Sequence, residues 1–531
     1  MKIDSELGQA ELDLPVCLTS SLKAGETLKS GGFLLQISSR ACDTSYRKGL
    51  DQLNSDSHRD ELGCAVSLST YSYTVIKLGC DLAAQKAEQA EEILEQYGFV
   101  DGQWPDGKEL PDTMRQEEGL FEAFDPAELD AFSFNLDEAE DWPTVFCCQE
   151  EDAGEISEKA EAGEDSKGEN AEHAQEKKKK GSYSKPDMRP RDHLKKRRTR
   201  KQCIQDDEKR MEFMKAYALW LNTQDCTALK KILHEVMVES KLEKTIYISI
   251  DGVCVSEQEA PRVKGGRPTE KEKGTWIDHW NIRVEFGDRS YLITDPDLDS
   301  CFRQLLAFLL KHSLLSHAFV FLADGQDSIF LGVKKYFKHW RFLFILDFYH
   351  LAEKCYNLLS LGLKSYRVPS PWEKPEYYKT GKKKGQVKSQ KKTSISRVYA
   401  STIVSCLWYG NVKEAVSYLE NLDPADISDQ EAINKLIGYF RKRKEFITCY
   451  AMRRAAGLRN SSNGVEGANN LLVSARQKED DRMHWRQKGS WALAALTCAR
   501  KNGDLEDWCV NRRFSFSKQA WTNGQEYEAA A

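Results

Sequence analysis

Three apolar runs that each end on an acid set the pattern of this chain. Tyr247-Ile248-Ser249-Ile250 leads into Asp251-Gly252, Ala318-Phe319-Val320-Phe321-Leu322-Ala323 into Asp324-Gly325, and Phe342-Leu343-Phe344-Ile345-Leu346 into Asp347. Their β-branched and aromatic content predicts buried strands. Between the first two, alternating residues from Trp276 to Phe286 and the run Ser290-Tyr291-Leu292-Ile293-Thr294 predict an antiparallel meander. Cys301 to His312 has the apolar spacing of an amphipathic helix, and a short helix fits between the Asp324 and Asp347 strands. The order strand, strand, strand, helix, strand, helix, strand describes a mixed α/β sheet. Three of its strands would deliver an acid to one sheet edge.

The flanks read differently. Residues 1–100 predict a small α+β unit, with a strand over 63–76 and a helix from Leu82 to Tyr97 that ends at Gly98. Residues 101–206 form an acidic arm and linker. Their low-complexity part, 149–180, cannot bury enough apolar surface to order itself, and a basic run over 189–201 suits nucleic-acid contact. Residues 207–240 read as helical and open the first part of the sheet domain, 207–350. Beyond it, 351–459 predicts a helical insertion: a helix from Leu351 to Leu363, a basic loop from Lys379 to Lys392, and helices at about 395–421, 428–441 and 443–457. Residues 460–531 return to the sheet domain. Ser461-Ser462-Asn463-Gly464-Val465-Glu466 reads as a helix start, and a cap followed by Glu is also a plain capping box. Further helix is expected through Arg476 and from Gly489 to Lys501.

Composition narrows the class. Of 531 residues, 40% are hydrophobic, mean hydropathy is −0.61, and no apolar stretch is long enough to span a bilayer. The start, Met1-Lys2-Ile3-Asp4, lacks the apolar region of a secretory signal. The 15 cysteines include no C-x-x-C pair, which predicts reduced thiols in a cytoplasm rather than disulfides or a zinc ribbon. The net charge of −6 conceals an asymmetry. Residues 1–180 hold 17 Lys and Arg against 40 Asp and Glu; the rest holds 60 against 43. A basic back half fits a polyanionic partner.

The series Ile248-Ser249-Ile250-Asp251-Gly252-Val253, Leu322-Ala323-Asp324-Gly325, Leu346-Asp347-Phe348-Tyr349-His350, Gly464-Val465-Glu466 and Arg476 through Trp485 to Gly489 resembles the DDE-type transposases of bacterial insertion sequences. It is most similar to the ISKra type and more distantly to the ISLre and Mutator-like groups, over roughly residues 207–505. The resemblance implies a ribonuclease-H-like fold interrupted by an all-helical insertion. It implies Asp251, Asp324 and Glu466 as catalytic metal ligands, spaced by 73 and 142 residues, with Mg²⁺ as cofactor and Mn²⁺ as substitute. Asp347 and His350 match its Asp-x-x-His motif as accessory residues. It also implies double-stranded DNA as partner, a dimer or higher assembly, and a place at the nucleoid. Asn470 stands where the family carries a basic residue.

The residue types suit that chemistry. Two Mg²⁺ ions about 3.5–4 Å apart can activate the nucleophile and the leaving oxygen of a phosphodiester. Carboxylates from separate elements suffice to hold them. Arg476 and Lys478 are candidate phosphate contacts, Trp485 a candidate stacking surface, and Lys382, Lys383 and Lys384 a salt-sensitive electrostatic contribution. Plainer roles stand beside these: Trp485, Trp491 and Trp408 as core, Asp347 as a helix cap, His350 as a packed helix-start residue. Two other functions share the same residues. One is a transposase-derived protein that holds DNA without cutting it; the other is a structure-specific nuclease that never joins strands.

Overall fold

The computed structural model describes residues 2–5, 8–11, 28–57, 59, 65–116, 239, 245–258, 275–370, 376–378, 380, 382–455, 458–478, 485–517 and 521. The expectations for the acidic arm beyond 116, the low-complexity linker, the basic run 189–201 and the helix over 207–240 (Glu239 excepted) fall outside them. The chain divides into two units. One holds 1–123, 241–347 and 460–531; the other holds 124–240 and 348–459.

In the first unit, three short strands, Lys2–Ser5, Gly8–Glu11 and Leu28–Lys29, precede helices α1 (Gly31–Asp43), α2 (Tyr46–Asp56) and α3 (Leu68–Gln96). Each helix starts on a serine, Ser30, Ser45 and Ser67, whose side chain accepts an N–H of the first turn. The strand expected over 63–76 is corrected: from Leu68 onward this stretch is the first part of α3. Tyr71, Thr74, Val75, Leu78 and Leu82 are buried at helical spacing. That continuous apolar face outweighs the β propensity of its Thr, Tyr and Val residues. The expected end near Gly98 is found.

The sheet follows. β1 (Thr245–Ser256) pairs antiparallel with β2 (Trp276–Phe286), and β2 with β3 (Arg289–Asp295). After α4 (Leu298–Lys311), β4 (Ala318–Ala323) lies parallel to β1. After α5 (Asp327–Tyr336), β5 (Phe342–Leu346) lies parallel to β4. The strand order is β3-β2-β1-β4-β5. β4 is buried along its whole length, as a central parallel strand covered on both faces must be. The meander and both helix–strand crossovers occur as the hydrophobic pattern predicts.

The second unit contains α6 (Phe348–Gly362), α7 (Ile395–Trp408), α8 (Val412–Glu420), α9 (Gln430–Arg443) and α10 (Tyr450–Ala455). Three expectations are corrected here. The single helix expected over 395–421 is two. Gly410, at φ 75°, breaks it, and Asn411 caps the second through the Glu414 N–H at 3.2 Å. The helix placed at 443–457 begins only at Tyr450. Described parts of the expected basic loop and its flanks pair as strands in two separate two-stranded sheets. Arg367–Pro369 pairs with Lys392–Ser394, and Glu376–Tyr377 with Val387–Ser389.

The chain then returns to the first unit with α11 (Asn463–Asn469), a π-helical turn (Asn470–Ser474), a last turn Ala475–Gln477, α12 (Gln487–Asn502) and α13 (Asp504–Asn511). α12 lies against α3 so closely that a Cβ on Gly79 would meet the Ala492 carbonyl oxygen at 2.3 Å. No described helix is long and apolar enough to cross a membrane. Among the described residues, nine cysteines are free thiols.

Candidate functional site

Register brings the acids together. Asp251 pairs with Asn281 on β2, and Asn281 with Thr294 on β3. On the other side Ile250 pairs with Ala323, and Ala323 with Leu346. Asp324 and Asp347 are therefore the next positions level with Asp251. Residues level on neighbouring strands project to the same face, with strands about 4.8 Å apart. Thr294, Asn281, Asp251, Asp324 and Asp347 thus form one polar row across the ends of the five strands. The Asp347 N–H continues the ladder to the Ala323 carbonyl at 2.7 Å.

Each carboxylate in the row is oriented by the chain. Asp251, half-buried, accepts the Gly252 N–H on Oδ1 at 2.8 Å and the Asn469 side-chain amide on Oδ2 at 2.7 Å. Asp324, also half-buried, accepts the Gln326 N–H on Oδ1 at 2.9 Å. Asp347 is fully buried, and its Oδ2 accepts both the N–H of Ser462 and the Ser462 hydroxyl, the latter at 2.8 Å. At the β2 end, Asn281 donates to Asn469 Oδ1 at 2.6 Å. Asn281 Oδ1 and Thr294 Oγ1 are buried with no hydrogen-bond partner among the described residues. Such groups cost stability, on the order of 1–3 kcal/mol each. Polar groups kept in a core against that cost mark a strained or functional region.

The segment that carries Glu466 is tied to this row at both ends. Ser462, its N-cap, is bound to Asp347; Asn469, its last residue, is bound to Asp251 and Asn281. Glu466 lies between these ties, half-buried, one helical turn before Asn469 and on its side of the helix. Close approach sets where the helix begins. A Cβ on Gly464 would stand 3.1 Å from Glu285 Oε2 and 3.3 Å from the Arg283 side chain, and Arg283 pairs with Glu285 at 3.0 Å. Val465, Ala468, Leu472 and Val473 anchor the opposite side in a core with Val253, Val255, Ile277 and Leu292. The π-helical turn that follows is a rare feature, frequent beside functional sites.

Among the described residues, no three His, Cys, Asp or Glu side chains stand close enough to hold a metal ion. Asp251 and Asp324 stand level on adjacent strands and Glu466 lies on the segment tied to that row, without a ligand set formed among the described residues. The donors themselves suit a hard cation: carboxylate oxygens, with Asp251 and Asp324 level on adjacent strands.

Of the other expected site residues, Arg476 is only 6% exposed. Its guanidinium packs against the rings of Tyr46 and Trp485, 5.7 and 5.3 Å from their centroids, and donates to the Ala41 carbonyl at 3.2 Å. The expectation that it meets a phosphate is corrected: it is a packing residue that joins α1 and α2 to the end of the Glu466 segment. Trp485 is likewise packed. Its indole donates to the Gln477 carbonyl at 3.1 Å, and its backbone N–H bonds Ser256 at the end of β1. Its ring remains partly exposed. Lys478 is exposed. His350, 3.9 Å from Glu353, and the exposed Lys382, Lys383 and Lys384 belong to the second unit.

Sequence reasoning missed Asn281, Ser462 and Asn469. An Asn amid Ile277, Ile282 and Val284 was the available signal for the first. Asn469, three residues after Glu466, was the signal for the last. Searches of protein-family models, of curated proteins and of solved structures find no match to this chain.

Proposed function

We propose that this chain is a metal-dependent DNA-processing enzyme of the DDE-transposase type, built on a ribonuclease-H-like sheet. The mixed five-stranded sheet of order β3-β2-β1-β4-β5, with β2 antiparallel and β4 and β5 parallel to β1, supports this reading. The observation that carries the proposal is the level placement of Asp251 and Asp324 on adjacent strands, with Glu466 on a segment tied to Asp347 at one end and Asp251 at the other. Asp251, Asp324 and Glu466 would hold Mg²⁺, or Mn²⁺ in its place. Bound there, the ion supplies Lewis-acid activation of a phosphodiester and neutralises its developing charge. The chain's own part is orientation. Gly252 and Asn469 fix the Asp251 carboxylate, Gln326 fixes Asp324, and Ser462 anchors the Glu466 segment. Duplex DNA is the substrate. Lys478 and the second-unit lysines Lys382, Lys383 and Lys384 add sequence-independent phosphate attraction.

A second reading, a protein that holds DNA without cutting it, is favoured by one observation: the acids are engaged by protein groups and not gathered into a ligand set. A metal titration of cleavage separates the two, using a labelled duplex with the element's own ends and wild type, Asp251→Asn and Glu466→Gln in parallel. The enzyme reading expects metal-dependent nicking that both substitutions abolish. Cleavage unchanged in Asp251→Asn excludes this site. Salt-sensitive binding without cleavage, equal in all three proteins, establishes the second reading.

A further inference from the structure

We infer that Asn469, itself held by Asn281, is a positioning residue for Asp251, and that it sets how tightly the site takes a divalent cation. The inference rests on the enzyme reading above. Both amides are buried, Asn281 fully and Asn469 to 8% exposure. The chain of bonds has one direction. An ionised carboxylate only accepts, so the Asn469 NH₂ must face Asp251 Oδ2, at 2.7 Å. That leaves Asn469 Oδ1 toward Asn281, whose NH₂ donates to it at 2.6 Å. Turning either amide over would break a link.

The link joins two elements that the chemistry needs in register. Asn281 sits directly across from Asp251 in the β1–β2 ladder, and Asn469 ends the helix that bears Glu466. With the Gly252 N–H on Oδ1 and Asn469 on Oδ2, the plane of the Asp251 carboxylate is fixed from both sides. A ligand oriented in advance loses less freedom when the ion arrives, and groups that orient metal ligands in this way are typically worth about 10- to 100-fold in affinity.

The test uses the full chain with Mn²⁺ as probe, followed by its electron-paramagnetic signal, so that binding is read without turnover. Wild type, Asp251→Asn, Asn469→Leu and Asn281→Val are compared. The expected result is Mn²⁺ binding lost in Asp251→Asn and weakened about tenfold in Asn469→Leu. In Asn281→Val, which spares the Asn469–Asp251 bond, a smaller loss is expected. Cleavage by Asn469→Leu should recover as Mn²⁺ is raised, which a general folding defect would not allow. If Asn469→Leu does not fold, Asn281→Val carries the test alone. Wild-type affinity in whichever of the two folds, with Asp251→Asn dead, overturns the positioning role and leaves the enzyme reading intact. No Mn²⁺ binding by wild type, or binding unchanged in Asp251→Asn, overturns both.

Discussion

Asp347 shows how much structure can rest on one carboxylate. It is fully buried at the end of β5, and the Ser462 N–H and hydroxyl both reach Oδ2. Asp347→Ala leaves two donors buried without that acceptor, at about 2–4 kcal/mol together. Urea unfolding should show that loss, and cleavage should fall with it because the start of the Glu466 segment is released. A loss below about 0.5 kcal/mol, within the range of an ordinary surface substitution, would show that the tie is not a structural anchor. At this scale the sequence was informative for the acids and silent about what holds them. Asp251 and Asp324 stand out because each ends an apolar run. Asn281 and Asn469 do not, because their partners lie 188 and 218 residues away in the chain. Arg476 misled for a related reason: a basic residue near a candidate site reads as a phosphate contact until the aromatic rings around it are seen.

Among the elements, α3 and α12 cross at Gly79. A Cβ there would lie 2.3 Å from the Ala492 carbonyl oxygen and 2.5 Å from its Cα, so backbone rather than a flexible side chain must move. Gly79→Ala should destabilise by about 1–3 kcal/mol despite the better helix propensity of Ala. A stability equal to or above wild type, measured by denaturant unfolding, would contradict that close crossing. The sheet was legible because each strand carries its own period and its own end signal, and the helices between them have clear apolar faces. The first part of α3 was not. Thr70, Tyr71, Tyr73, Thr74, Val75 and Ile76 have the composition of a strand, and only the buried positions at helical spacing decide the matter. The strand pairs Arg367–Pro369 with Lys392–Ser394 and Glu376–Tyr377 with Val387–Ser389 were hidden for the opposite reason: lysines there resemble a solvated loop, and the pairing is made by backbone.

For the molecule as a whole, buried titratable groups set the response to acid. Burial pushes the His279 imidazole down to about 4, and His312 likewise to about 4. Both rings titrate near 6.5 when unfolded, so the stability of keeping them neutral is present above about pH 6.5 and lost as pH falls toward 4, roughly 2–3 kcal/mol each. Asp504 opposes them. Burial raises its carboxyl to about 6, and the Tyr291 hydroxyl lies 2.7 Å from Oδ2. Its contribution is full below about pH 4 and is lost as pH rises through about 6. Burial raises the Asp295 carboxyl as well, by less; two large imidazole shifts against one large and one smaller carboxyl shift predict a net loss on acidification, and the urea midpoint should fall between pH 7 and pH 4.5. Asp504→Asn should steepen that fall by removing its opposing contribution. A flat profile would contradict the burial of the two rings. The acidic front and basic back of the chain belong to the same scale and were plain from composition, since charge balance needs no fold to be read.

The central claim is that Asp251, Asp324 and Glu466 form one metal-dependent site, and metal-titrated cleavage of a labelled duplex tests it most directly. Wild type should nick only with Mg²⁺ or Mn²⁺, and Asp251→Asn and Glu466→Gln should each bind the duplex as wild type does without cutting it. Metal-dependent cleavage that persists in both variants would place the chemistry elsewhere in the chain and leave the polar row as a purely structural feature.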